Sequence, residues 1–244
     1  KNPGKMIAVT GGGSGTGIAA LVNGKCDIAN ASRLMKTKEI EMAVDKGITP
    51  KRIIVAVDGL SFIVNPSNKV NKLTVDELGK IFRGEVTNWS EVGGEDLPIT
   101  LYGRQSNSGT YDFVMEVVNK GDYSQKMRQM NGNAQIIEAV KSDRSAIGYV
   151  GVGYTKNATG ITIVNVAMTK GGEYVSPMKD EDVISGKYPI SRGLFQYVGG
   201  SLSVDVKNFI AFELSSEGQK IVQEEGFFPI GEEYKKFNTE SIGL

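Results

Sequence analysis

The chain has 244 residues, 28 Lys+Arg against 28 Asp+Glu, no histidine and a single cysteine, Cys26. Without histidine there is no Ser-His-Asp or Cys-His dyad and no His-ligated metal. One cysteine excludes an intrachain disulfide and a Cys-cluster zinc site, and zero net charge supplies no overall field for nucleic acid or an anionic membrane.

Met6-Ile7-Ala8-Val9-Thr10 reads as a buried strand. It ends at Gly11-Gly12-Gly13-Ser14-Gly15-Thr16-Gly17, a loop feeding a helix over residues 18–22. A short strand is expected over residues 27–31. Thr37 can cap a helix through about Lys46, stopped by Gly47 and Pro50. Residues 52–57 and 60–64 are β-branched and strand-like, interrupted by Asp58-Gly59.

Thr74-Val75-Asp76-Glu77 is a capping box before a helix carrying Leu78, Ile81 and Phe82. Strands follow over residues 97–102, 146–150, 161–164 and 193–198. Helices are expected over 108–118, 134–140 and 180–184. Ser203 and Ser216 cap two more. This alternation argues α/β with largely parallel sheets. Extended segments near residues 60–66 and 189–196 are the candidate crossings between two lobes. That division puts residues 1–64 and 193–244 in one lobe and 65–192 in the other. No stretch approaches the roughly 18 apolar residues of a membrane span. No signal peptide opens the chain, which fits either a cytoplasmic protein or the mature form of an exported one.

Glycine is the compositional outlier, 31 of 244 residues, about 13% against a usual ~7%. Two Gly/Ser loops each lead into a helix. One is residues 11–17. The other is Gly103-Arg104-Gln105-Ser106-Asn107-Ser108-Gly109-Thr110. Helix N-termini present unpaired N–H groups and partial positive charge, and glycine lets an anion approach them. Arg104 adds a planar fork suited to tetrahedral oxyanions. Taken singly, such loops also serve merely to cap helices. Gly15-Thr16-Gly17-Ile18-Ala19-Ala20 fits the looser dinucleotide fingerprint, but its turn is too long and no acidic residue ends a strand about 20 residues on. No Walker A loop and no G-x-S-x-G elbow occurs. Asp58 and Arg33 stand out as charges among apolar strands. Each suits a turn or structural ion pair, or the two suit a pair at a ligand mouth. Trp89 and Phe227-Phe228 suit packing better than recognition.

Residues 11–33, Val57-Asp58-Gly59, the Arg104 to Thr110 loop, Ala146-Ile147-Gly148-Tyr149 and Phe212-Glu213-Leu214-Ser215-Ser216-Glu217-Gly218-Gln219-Lys220 together resemble the phosphate-binding proteins of phosphate ABC transporters. The resemblance runs in order over essentially the whole chain. It implies a periplasmic-binding-protein fold of type II: two α/β lobes, joined by a two-strand hinge, closing on one phosphate. It implies an extracytoplasmic binding protein, periplasmic or a cell-surface lipoprotein. Such a protein is expected to act as a monomer with a membrane permease as partner, with no cofactor, metal, nucleic acid or catalysis. Ser14 resembles the first-lobe serine contacting phosphate. Arg104, Ser108, Gly109 and Thr110 resemble the second-lobe arginine and helix N-terminus. Beside Ser32, many members carry an aspartate that accepts the phosphate proton. Arg33 stands there in this chain, so Asp58 is expected to take the acceptor role while Arg33 offsets charge. Members usually begin with a further strand, Ser/Thr-rich loop and helix, which this chain is expected to lack, and Lys1-Asn2-Pro3-Gly4 resembles the end of that helix and the turn after it. Molybdate or sulfate as ligand, a nucleotide-dependent enzyme using residues 15–20, and an adhesion role for the scaffold are the alternatives.

Overall fold

The structure, a computed structural model, describes residues 4–243. Residues 1–3 of the opening segment lie outside the described residues. The expected two α/β lobes are present, and one long strand runs through both. The elements in order are α1 (Ser14–Val22), β1 (Ile28–Ala31), α2 (Thr37–Asp45), β2 (Lys51–Val64), β3 (Lys72–Thr74), α3 (Val75–Arg83), β4 (Thr100–Arg104), α4 (Gly109–Val114), β5 (Arg128–Met130), α5 (Asn133–Ser142), β6 (Ala146–Gly151), β7 (Thr162–Ile163), β8 (Asn165–Ala167), α6 (Asp180–Ile184), β9 (Ser191–Val198), α7 (Val204–Leu214), α8 (Ser216–Glu224) and α9 (Glu232–Ile242).

β2 carries the architecture. Its first part pairs antiparallel with β9, through Asp58 opposite Arg192 and Gly59 opposite Ser191. From Leu60 to Val64 it pairs antiparallel with β6. Asp58-Gly59 therefore does not break the strand, contrary to the sequence expectation. The carboxylate is satisfied across the ladder by Arg192. A side chain on Gly59 would press on Val183 and Phe228, so glycine here serves close packing rather than a turn.

The strand order is β1-β9-β2-β6-β4-β5, with β7 also on β2 and a separate β3-β8 pair. Largely parallel sheets were expected. Among the described residues, only the β4 pairs, with β5 and β6, and the β3–β8 pair are parallel. The pairs β1–β9, β9–β2 and β2–β6 are antiparallel. The reason is geometric: the chain enters the second lobe along β2 and returns along β9 in the opposite direction.

Residues 6–10 form no strand. Met6, Ile7 and Val9 are 97%, 64% and 81% exposed. A strand needs a hydrogen-bonded neighbour, and among the described residues none pairs with this segment. A cavity of about 530 Å³, lined by Ile7, Val9, Cys26, Ile28, Phe209 and Glu213 among others, lies between it and β1.

Local chemistry explains most helix ends. Thr74 Oγ1 accepts from the Glu77 N–H at 3.2 Å, and Glu77 Oε2 accepts from the Thr74 N–H at 2.8 Å, so the predicted capping box forms. Ser203 caps α7 as expected. The cap of α8 is Ser215, one residue earlier than predicted, accepting from the Gly218 N–H at 3.2 Å. Thr37 is the first residue of α2 rather than its cap. The apolar residues gather into four clusters among the described residues, the largest of which takes Phe228 from the C-terminal part of the chain. Ile18, Leu21, Val22 and Ala29 pack together in the first lobe. Phe62, Phe82, Trp89 and Tyr149 do so in the second. Trp89 and Phe228 are 1% exposed and are packing residues. Among the described residues no helix is long and apolar enough to cross a membrane.

Candidate functional site

Two helix N-termini meet face to face between the lobes. α1 begins at Ser14, so the second half of the first glycine loop is already its opening turn. α4 begins at Gly109 with Ser108 as its cap, and its helical path continues through a π-turn at Met115–Asn119. The approach is close enough to demand glycine. A Cβ on Gly13 would collide with the Asn107 carbonyl, and one on Gly109 with the hydroxyls of Ser14 and Ser32.

Between them lies a cavity of about 300 Å³. Ser14, Ser32, Arg104, Ser108, Gly109 and Thr110 all line it. Six of the eight residues singled out from the sequence are thus brought together from three separate segments of the chain.

Three of the hydroxyl oxygens already accept a hydrogen bond. Ser14 Oγ accepts from the Ser32 N–H at 3.0 Å. Ser108 Oγ accepts from the Thr110 N–H at 3.2 Å. Thr110 Oγ1 accepts from Arg192 Nη2 at 2.8 Å. With a lone pair of each oxygen engaged, the Ser108 and Thr110 hydroxyl protons are available for another acceptor, while the Ser14 and Ser32 hydroxyls lie 3.4 Å apart, so one of them can donate to the other.

Arg104 is held at the end of β4. Its backbone N–H donates to the Tyr149 hydroxyl at 3.1 Å, and its Nη2 donates to the Asn131 carbonyl at 3.1 Å. Its Nε is buried without a hydrogen-bond partner among the described residues. Burial pushes the Arg104 guanidinium below its ordinary pKa. Such a donor gains from a negative charge beside it. Helix N-termini, hydroxyl protons and a desolvated guanidinium make the cavity donor-rich, which is what an oxyanion requires. Among the described residues no carboxylate lines it, and no group of three or more Asp, Glu, Cys or His could hold a metal ion.

The remaining two predicted residues are placed elsewhere. Arg33 and Asp58 do not pair with each other and do not line the cavity. Asp58 is buried behind it, ion-paired to Arg192 at 3.1 Å. Burial pushes the Asp58 carboxyl up and the Arg192 guanidinium down, and their mutual attraction opposes both shifts. Arg33 is ion-paired to Glu39 at 2.8 Å and to Asp112 at 2.7 Å. Both charges found partners nearer than one another, because Arg192 faces Asp58 across the ladder and Asp112 faces Arg33 across the lobes.

Arg192 and Asp112 were missed in the sequence. Arg192 Nη1 also donates to the Gly109 carbonyl at 3.3 Å, so it braces the α4 N-terminus from behind. The available signal was a lone charge entering an apolar strand, the same signal that flagged Asp58. Asp112 stands likewise alone in Tyr111-Asp112-Phe113-Val114.

The chain is similar to known proteins over most of its length. A PBP superfamily domain matches residues 1–217. SphX of Synechococcus elongatus is 35% identical, the alignment covering 93% of this chain and 70% of that one. The phosphate-binding protein PstS of Pseudomonas aeruginosa is 30% identical over 99% of this chain and 80% of its own. PstS of Borreliella burgdorferi is 35% identical, with 89% and 77% covered. Among solved structures, a substrate-binding protein from Clostridium perfringens with bound phosphate superposes with a TM-score of 0.78 at 30% identity, covering 90% of this chain and 85% of that one. An ABC-type phosphate transport receptor from Vibrio cholerae gives 0.76 at 26% identity, with 93% and 90% covered. By sequence and by fold, the chain belongs to the PBP superfamily and, within it, to the PstS family of phosphate-binding proteins.

Proposed function

We propose that this chain captures inorganic phosphate between its lobes and delivers it to a membrane ABC transporter outside the cytoplasm. One observation carries the reading: Ser14, Ser32, Arg104 and the α4 N-terminus, drawn from both lobes, converge as donors on one cavity. The relatives named as phosphate-binding proteins support the ligand, and the transport receptor among the structural neighbours supports the destination.

Binding is non-covalent and involves no catalysis. Ser14, Ser32, Ser108 and Thr110 offer hydroxyl protons, and Gly109 presents its backbone N–H. Arg104 supplies the charge. Each hydrogen bond to a charged group contributes about 1.5–3 kcal/mol net. Closure of the lobes dries the site and strengthens every such bond. Asp58 acts through Arg192, which it neutralises and positions. Arg33 acts from outside the cavity. The sequence division at residues 64/65 is drawn five residues earlier in β2, giving residues up to 59 with 193–244 as one lobe and 60–192 as the other. The change of partner along β2 between Gly59 and Leu60 supports a crossing there. The working form is a monomer bound transiently by the permease.

A second reading has its own observation. A wall of donors without a carboxylate suits fully ionised tetrahedral anions such as sulfate or molybdate equally well, since nothing charged accepts a proton from hydrogen phosphate.

Calorimetric titration with phosphate, sulfate and molybdate near neutral pH tests both. Phosphate is expected to bind tightest, and Arg104→Ala to weaken it about tenfold to a hundredfold, one or so charge-assisted bonds. No heat with phosphate overturns the first reading. Equal or tighter sulfate binding replaces it with the second.

A further inference from the structure

The geometry points to Asp112 as a positioning residue: with Arg33 and Lys36 it forms an ionic clasp that holds the lobes closed over the anion. The inference rests on the proposal of anion capture between the lobes and adds what sets the closed state.

The clasp starts at the N-terminus of α2 in the first lobe. Glu39 accepts from the Lys36 backbone N–H at 2.8 Å, which fixes its carboxylate at the helix start. Both oxygens of that carboxylate then accept from Arg33, Nη1 to Oε2 and Nη2 to Oε1, each at 2.8 Å. Arg33 Nη1 also donates to the Leu34 carbonyl at 2.8 Å. The guanidinium is thereby locked, with its Nε edge turned outward from the first lobe.

Asp112 meets that edge from the second lobe. Its Oδ2 lies 2.7 Å from Arg33 Nε, an ion-pair contact without hydrogen-bond alignment. Its Oδ1 accepts from Lys36 Nζ at 3.0 Å. The side chains of Arg33 and Asp112 are 7% and 5% exposed, so this pair is not a screened surface bridge. Another contact crosses the same gap, the Gly15 N–H donating to the Asn107 carbonyl at 3.3 Å.

Position gives the clasp its purpose. The Asp112 N–H donates to the Ser108 carbonyl at 3.2 Å, so Asp112 is one turn into the helix whose first residues line the cavity. Holding Asp112 against Arg33 holds Gly109 and Thr110 against Ser14 and Ser32. Closure also brings two helix N-termini and Arg104 together, an arrangement of like partial charge that resists closing without an anion. An opposite-sign contact beside the cavity offsets that resistance, and the bound anion then tips the balance.

The sign of one effect separates a clasp from simple electrostatics. Asp112 is negative and near the site, so neutralising it should tighten anion binding by Coulomb's law alone. A clasp predicts the reverse. Asp112→Asn should weaken phosphate affinity tenfold or more, chiefly through faster release, and Asp112→Glu should recover most of it. Lys36→Met should weaken binding in the native background and have no effect beside Asp112→Asn. In anion-free buffer, small-angle scattering should show a larger radius of gyration for Asp112→Asn than for the native chain. Affinity unchanged or tightened in Asp112→Asn, or an undiminished Lys36→Met effect in both backgrounds, overturns the clasp. Should Asp112→Asn fail to fold, Lys36→Met with the scattering comparison decides, since Lys36 is half exposed and replaceable. If the native chain gives no phosphate heat, the phosphate reading falls alone, and the anion-free scattering still judges the clasp.

Discussion

Asp58 and Arg192 face each other across the antiparallel ladder of β2 and β9, 3.1 Å apart, one residue before β2 leaves β9 for β6. A buried ion pair thus sits at the joint between the lobes. Arg192 extends from it to Thr110 and the Gly109 carbonyl, tying the joint to the cavity between the lobes.

Breaking that pair leaves a buried guanidinium without its counter-ion. Asp58→Asn is expected to lower unfolding stability by about 3–5 kcal/mol. Urea denaturation measures it, and adding Arg192→Met should recover part of the loss. Because Asp58 stands behind the cavity wall, the phosphate-to-sulfate preference of Asp58→Asn should match the native value. A narrowed preference would put Asp58 at the anion after all.

Gly109 tests the close approach of the two helix starts. A Cβ there collides with the hydroxyls of Ser14 and Ser32. Gly109→Ala is expected to cost about 1–3 kcal/mol of stability through overpacking. It should abolish measurable anion binding in titration calorimetry. Retained native affinity would mean that the two serines do not frame the ligand.

Tyr149 carries Arg104 from beneath. Its hydroxyl accepts from the Arg104 N–H at 3.1 Å and contacts the Tyr123 hydroxyl at 3.0 Å. Burial pushes the Tyr149 phenol up to about 12, so it stays protonated at any working pH. Tyr149→Phe leaves the Arg104 backbone N–H without its partner. The expected loss is about 1–3 kcal/mol of stability, read by thermal unfolding, with a smaller loss of anion affinity.

Glu213 gives a pH signature. Burial raises its carboxyl to about 7, although a hydrogen bond from Gln196 works against the rise. The folded chain therefore holds a proton that the unfolded chain has already released between pH 4.5 and 7. That contribution is fully present below the unfolded value and is lost as pH rises through about 7, up to about 3 kcal/mol. Glu213→Gln should flatten this part of the stability-against-pH curve. An unchanged slope across neutrality in that variant would remove Glu213 as its source.

Much of the candidate site was legible because its requirements are local. Ser108-Gly109-Thr110 after Arg104 specifies a capped helix start beside a guanidinium whatever the rest of the chain does. Ser14 within its glycines does the same. The Thr74 to Glu77 box and the core character of Trp89 were equally local. Pairing was not. Residues 6–10 have a strand's composition, yet composition cannot supply a neighbour. Asp58-Gly59 has a turn's composition, yet Arg192, 134 residues away, keeps it in a strand.

Sequence alone therefore determined the class of fold, the alternation of elements, the two glycine-led helix starts and six of the residues that meet at the cavity. Tertiary structure decided which charges serve whom. Arg33 and Asp58 looked like partners because both interrupt apolar strands. A charge buried in a core takes the nearest opposite charge in space, since an unpaired ion there costs several kcal/mol. Distance along the chain carries no information about that choice. Only the crossing of β2 and β9 could give Asp58 to Arg192, and only the meeting of the lobes could give Arg33 to Asp112.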